Sequence, residues 1–213
     1  MNDPLLVATI PLAAKLGYSA FMAVLVPVYL RQYGPTNFLY FCDVALLLTL
    51  VGIWLEDALL LSVATVGILL PQLFWLLSFL AHLFGHRISG MTDYMFDTRR
   101  SRFLRGLSLF HGWLPLLLLW LLLRTGYDPR ALPIWTAIST LLVLVCYFWM
   151  PPPTRERGLK PVNINYVHGL SSDEPQHWMS QRAWLALVLL GFPLLLYLPA
   201  HALLMLCMPA VMR

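Results

Sequence analysis

The chain has 213 residues, of which 60% are hydrophobic and 11% charged, with a formal net charge of +4. Soluble domains carry about 25% charged residues, so a mean hydropathy of +0.73 excludes an ordinary soluble domain and points to a membrane. No polar stretch is long enough for a second domain, and the excess positive charge sits in short segments beside apolar runs. It therefore reads as topology signal, with no nucleic-acid partner expected.

A helix needs about 20 apolar residues to cross the hydrocarbon core. Taken in chain order, the runs predict spans near 14–31, 37–55, 59–84, 103–124, 132–150 and 183–207. None has a polar face, which excludes amphipathic soluble helices, and none alternates as a barrel strand would. The expected fold is all-α: a polytopic transmembrane helical bundle of about six spans forming a single integral membrane domain, 1–213. Met1-Asn2-Asp3-Pro4 offers no basic segment ahead of the first run, so no cleaved signal peptide is expected. Tyr33-Gly34-Pro35-Thr36 and Gly126-Tyr127-Asp128-Pro129 read as tight turns, and Glu56-Asp57 closes a helical hairpin. Two longer connections remain, 85–102 and 151–182.

Six spans put both termini on one side. Lys15, Arg124, Arg130 and Arg213 fall there, and the other 10 of the 14 Lys and Arg fall opposite. By the positive-inside rule, loops 85–102 and 151–182 are expected in the cytoplasm and both termini outside. Cys42, Cys146 and Cys207 make no CxxC and read as small apolar residues. No HExxH motif occurs, so neither metal nor cofactor is expected.

The chemistry-bearing candidates are the polar residues inside the runs. Asp43 and His111 stand about 9 Å and about 12 Å from the basic side, counted at 1.5 Å per helical residue. An ionisable residue in lipid is costly and marks a candidate site. Pro115 has no N–H to offer the His111 carbonyl, so a kink is expected at the histidine. Asn37, His82, Asn163, Asn165 and His168 are the ligand-binding candidates on the same side. The segment Asn163-Ile164-Asn165-Tyr166-Val167-His168-Gly169 reads either as a lid folding back over the site or as an ordinary surface loop. Asp43 equally reads as an interhelical hydrogen-bonding group, as does Gln72. The run Arg99-Arg100-Ser101-Arg102 reads as an anchor facing anionic lipid.

Phe38-Leu39-Tyr40-Phe41-Cys42-Asp43, Pro71-Gln72-Leu73-Phe74-Trp75 and Leu109-Phe110-His111-Gly112-Trp113-Leu114-Pro115 follow one another in an order that resembles the androgen-induced-gene family. These are six-span intramembrane threonine hydrolases acting on fatty acid esters of hydroxy fatty acids. The resemblance implies spans two and four side by side, with His111 and Asp43 as catalytic residues. It departs at the nucleophile, where the family's threonine falls on Tyr40; Thr36, one helical turn earlier, is the nearby hydroxyl. The chain also looks like an uncharacterised bacterial integral membrane protein, which implies the bacterial cytoplasmic membrane. Two functions follow: binding or hydrolysis of a lipid or amphipathic ligand at an Asp/His site, or a non-catalytic structural or accessory subunit with a membrane-protein partner. A small carrier is the third, disfavoured by the absence of an inverted repeat.

Overall fold

The computed structural model describes residues 9–155 and 158–211, which leaves Met1–Pro4, Arg157 and Arg213 outside the described residues. The structure is a helical bundle. Helix α1 spans Leu12–Gln32, α2 Phe41–Leu55, α3 Ala58–Leu83, α4 Arg102–Leu107, α5 Phe110–Thr125, α6 Ala131–Trp149, α7 Gln181–Gly191 and α8 Leu198–Cys207. A π-helical segment, Phe192–Tyr197, joins α7 to α8 without a break in direction. Five helical segments, 12–32, 58–83, 102–125, 131–149 and 181–207, have the length and composition to cross a bilayer. The chain is an integral membrane protein. Helix α2 is shorter at 15 residues and is preceded by a 3-10 turn over Pro35–Leu39. Span two therefore starts its α-helix four residues later than the hydropathy boundary, because Pro35 and the φ of 83° at Gly34 turn the chain first.

One proline acts much as the sequence suggests. Pro193 sits at the second position of the π segment, where its missing N–H interrupts the ordinary ladder. Pro71 and Pro115 are held inside continuous α3 and α5. In span four the helix breaks instead at Ser108–Leu109, between α4 and α5, just ahead of His111.

Helix α3 is the axis of the bundle. Its nine consecutive residues Leu61–Leu69 are all buried, so neighbours cover it on every side. That stretch contains Ser62, Ala64, Thr65 and Gly67, small residues that let other backbones and rings come close. A Cβ on Gly67 would stand 2.0 Å from the Trp135 ring of α6, so only glycine fits this crossing. Helices α2 and α3 form the expected hairpin: Glu56 takes a left-handed φ of 52°, and Asp57 caps α3 by accepting the Leu60 N–H at 2.8 Å.

The connections gather at opposite ends of the bundle. Residues 33–40, 84–101, 150–155 and 158–180 lie at one end, where Arg100 stacks on Tyr33 and Asn165 reaches Leu39. The 56–57 and 126–130 turns lie at the other with the chain's tail, where Tyr127 donates its N–H to Pro209 O at 2.7 Å. Gly126, with a φ of 83°, permits that approach, since a Cβ would meet the Val211 backbone at 2.8 Å.

Candidate functional site

Asp43 occupies the first turn of α2, and His111 the first turn of α5, at the same end of the bundle. They are matched as helix starts. Asp43 is 2% exposed. One of its carboxyl oxygens, Oδ2, accepts from Asn37 Nδ2 at 2.8 Å, and the other, Oδ1, is buried with no hydrogen-bond partner among the described residues. The positive end of the α2 dipole favours a carboxylate in that turn. A half-satisfied carboxyl among apolar side chains is nevertheless expensive.

His111 is held differently. Its Nδ1–H donates to the Ser108 carbonyl at 2.8 Å, which fixes the tautomer and leaves Nε2 as the acceptor. The imidazole stacks on Trp75 of α3, with ring centroids 4.9 Å apart, and on Phe110 at 4.1 Å. Ser108 in turn shares a 2.9 Å hydrogen bond with the Tyr29 hydroxyl of α1. The break between α4 and α5 thus supplies the carbonyl that orients the histidine.

Asp43 and His111 bond to separate partners, Asn37 and Ser108, and no direct hydrogen bond joins them. Between them lie groups that hydropathy alone does not single out. Tyr94, from the 84–101 connection, packs beside Trp75 and His111 with centroids at 6.5 and 6.4 Å. The Arg100 guanidinium lies over Tyr33 at 5.1 Å and Tyr94 at 5.6 Å, so this arginine points inward. Gln72, one turn from Trp75 on α3, is 2% exposed and neither of its amide atoms has a partner among the described residues. Trp75 Nε1 and the Tyr94 hydroxyl are buried too, and face each other beyond ordinary hydrogen-bond distance. The hairpin register set by Gly52 against Leu61 carries Asp43 to the level of Leu70–Gln72. Gln72 had a signal in the Pro71–Trp75 motif, Tyr94 had none, and Arg100, expected in an anchor facing lipid, turns inward, because loop residues are brought inward only by the fold.

The other sequence candidates separate into two groups. Asn37 joins Asp43 directly, and Thr36 and Tyr40 flank it, both half-buried, in the turn before α2. His82 faces away, pairing its Nδ1 with Thr92 Oγ1 at 3.4 Å and packing on Phe96 at 3.9 Å. Asn163, Asn165 and His168 build the loop that covers the start of α2. Asn165 donates from Nδ2 to Leu39 O at 2.9 Å and accepts the Phe41 N–H on Oδ1 at 3.1 Å, clasping the backbone on both sides of Tyr40. Asn163 donates to Gly169 O at 2.7 Å and Ser171 O at 2.8 Å, and accepts the His168 N–H at 2.9 Å. Asn163 and Asn165 tolerate their left-handed φ of 49° and 57°. Tyr166, at 61°, does so at a cost and is pinned by Trp184 Nε1, which donates to its carbonyl at 2.9 Å. Ile164 and Val167 are fully buried beneath with Cys146. His168 stacks on Tyr147 of α6 at 5.2 Å, and burial pushes its imidazole below the usual histidine range.

Among the described residues, no three His, Cys, Asp or Glu side chains gather as a metal-ion group. Two surface grooves, one near Phe79 and Arg105 and one near Leu170 and Trp184, are lined by neither Asp43 nor His111. Comparison with known protein families, with curated proteins and with solved structures found no match.

Proposed function

We propose that this integral membrane protein binds a lipid or other amphipathic ligand at the buried polar cluster of Asp43, Gln72, Trp75, Tyr94 and His111. The observation that carries this reading is the set of buried, unpartnered donors and acceptors at one bundle end: Asp43 Oδ1 and both Gln72 amide atoms. Native proteins pair such groups, and exceptions need an explanation. A ligand with a polar head and an apolar body supplies the missing partners and tolerates the surroundings. His111 Nε2 offers an acceptor, and Asp43 sets the charge of the site. The Asn163–Gly169 loop stands over the approach through Tyr40 and must shift to admit a ligand, because Asp43 and Gln72 are sealed.

Binding is the reaction-free form of this reading. Hydrolysis requires a nucleophile beside the base, and Tyr40 occupies the place where the family resemblance puts a threonine. A cytoplasmic position for the 85–102 and 151–182 loops is part of the same proposal and rests on their arginines.

The test compares wild type with His111→Ala and Asp43→Asn, purified in mild detergent, by native mass spectrometry and thermal denaturation. Wild type is expected to retain an amphipathic ligand, with occupancy at least tenfold lower in His111→Ala. Asp43→Asn keeps an oxygen for Asn37 and removes only the charge. Its stability is expected to match wild type or exceed it by about 1 kcal/mol while ligand retention falls. Equal retention in all three proteins would sink the binding site. The sealed packing of Asp43 and Gln72 would then favour a structural or accessory subunit.

A further inference from the structure

The basic end of the bundle carries five arginines between positions 87 and 105, and the structure divides them sharply. Arg87 is paired with Asp93, and Arg99 with Asp97 at 2.8 Å. Arg100 is turned inward over Tyr33 and Tyr94. Arg102 is exposed and makes no ion pair among the described residues. Arg105 donates from Nη1 to Met95 O at 3.1 Å, while its buried Nε has no partner there. The expected anchor at Arg99-Arg100-Ser101-Arg102 is therefore not a uniform patch. Its uncompensated charge is concentrated at Arg102 and Arg105.

These two arginines line one groove of about 390 Å³, between the end of α3, the Gly90–Met95 turn and α4. Phe79, Leu83, Phe96 and Leu109 form its apolar part. Leu83 and Leu109 are 55% and 43% exposed, so the apolar wall opens outward. Arg102 begins the fourth span and Leu109 lies seven residues deeper, about 10 Å along the helix. Charge at the rim and apolar wall below match the layering of one membrane leaflet.

We infer that this groove binds one anionic glycerophospholipid, with its phosphate between Arg102 and Arg105 and an acyl chain along Phe79, Leu83 and Leu109. Charge complementarity selects the occupant: two unpaired guanidiniums call for a phosphate, and the apolar wall calls for a chain attached to it. The groove adjoins the Asp43 cluster through Phe79, which stacks on Trp75 at 5.1 Å, but its lining contains none of the cluster's residues.

The experiment is a native mass spectrometry titration of the detergent-purified protein with phosphatidylglycerol and with phosphatidylcholine of the same chains. Phosphatidylglycerol is expected to bind about tenfold tighter or more. The double variant Arg102→Ala/Arg105→Ala is expected to weaken it about thirtyfold, from about fivefold per basic residue near the surface, and to leave phosphatidylcholine unchanged. Arg102→Gln, which spares the Met95 contact, is expected to cost about fivefold and serves if the double variant does not fold. Leu109→Trp fills the apolar wall and is expected to weaken both lipids. Equal affinity for the two lipids, or phosphatidylglycerol binding unchanged in Arg102→Gln, would overturn the inference. Full competition by inorganic phosphate alone would overturn the lipid assignment. A mass lost with the arginines but kept in His111→Ala belongs to this groove, and the reverse belongs to the buried cluster.

Discussion

At the end of the bundle that carries the 56–57 and 126–130 turns, polar side chains find one another. Lys15 meets Glu56 at 2.6 Å, Arg130 meets Asp128 at 2.7 Å, and the Tyr127 hydroxyl pairs with His201 Nδ1 at 2.6 Å. The Asp128 N–H donates to Ser62 Oγ at 2.9 Å, tying the turn to α3. At the opposite end, Asp43 and Gln72 bury atoms that have no partner among the described residues. Both ends are built from the same helices with the same apolar character. One end thus pairs its polar side chains, while the other buries the unpartnered atoms on which the proposed site rests.

The largest expected effect comes from releasing the loop that covers the second end. Asn165→Ala removes the clasp on Leu39 and Phe41 and leaves both backbone groups unpaired. It is expected to destabilise the protein by about 2–4 kcal/mol, read as a lowered thermal midpoint in detergent, and to speed hydrogen exchange at Phe41. If exchange there is unchanged, the loop does not hold the start of α2. At the paired end, Tyr127→Phe deletes one hydrogen bond and is expected to cost about 1 kcal/mol with no change in ligand retention. A loss of ligand in that variant would erase the distinction between the ends.

The smallest effect is a pH dependence. Burial lowers the His168 pKa in the fold, so the unfolded chain binds the proton more readily. The stabilisation is full above the ordinary histidine range, near pH 6.5, and falls as pH drops through it toward the folded value. Exchange of the Asn163–Gly169 amides is therefore expected to rise modestly on acidification from pH 7 to pH 5. His168→Gln should remove the trend.

Much of the architecture was legible because crossing a bilayer imposes length. Five of the six hydropathy runs became long helical segments, and the turns at Gly34-Pro35, Glu56-Asp57 and Gly126 fell where their residues demand them. The 3-10 turn over Pro35–Leu39 before α2 was not legible, because hydropathy runs unbroken through it. Asn37 was found with Asp43 because six residues separate them across one turn. Tyr94 was missed, and Arg100 read as a lipid-facing anchor, because their partners, Trp75 and Tyr33, are more than 15 residues away and only packing unites them.

By itself the sequence determined that this chain is an all-α membrane protein with several apolar helices, and that it carries an acid and a histidine inside two of its apolar runs. Only the tertiary structure decided that α3 is the axis, that Asn165 clasps the start of α2, and which arginines remain unpaired. The physical reason is the solvent. In lipid, a face turned to a neighbouring helix and a face turned to the bilayer are equally apolar, so hydropathy carries no inside and outside. Which small residues meet, as Gly67 meets Trp135, and which polar atoms find partners depends on side chains that only folding brings together.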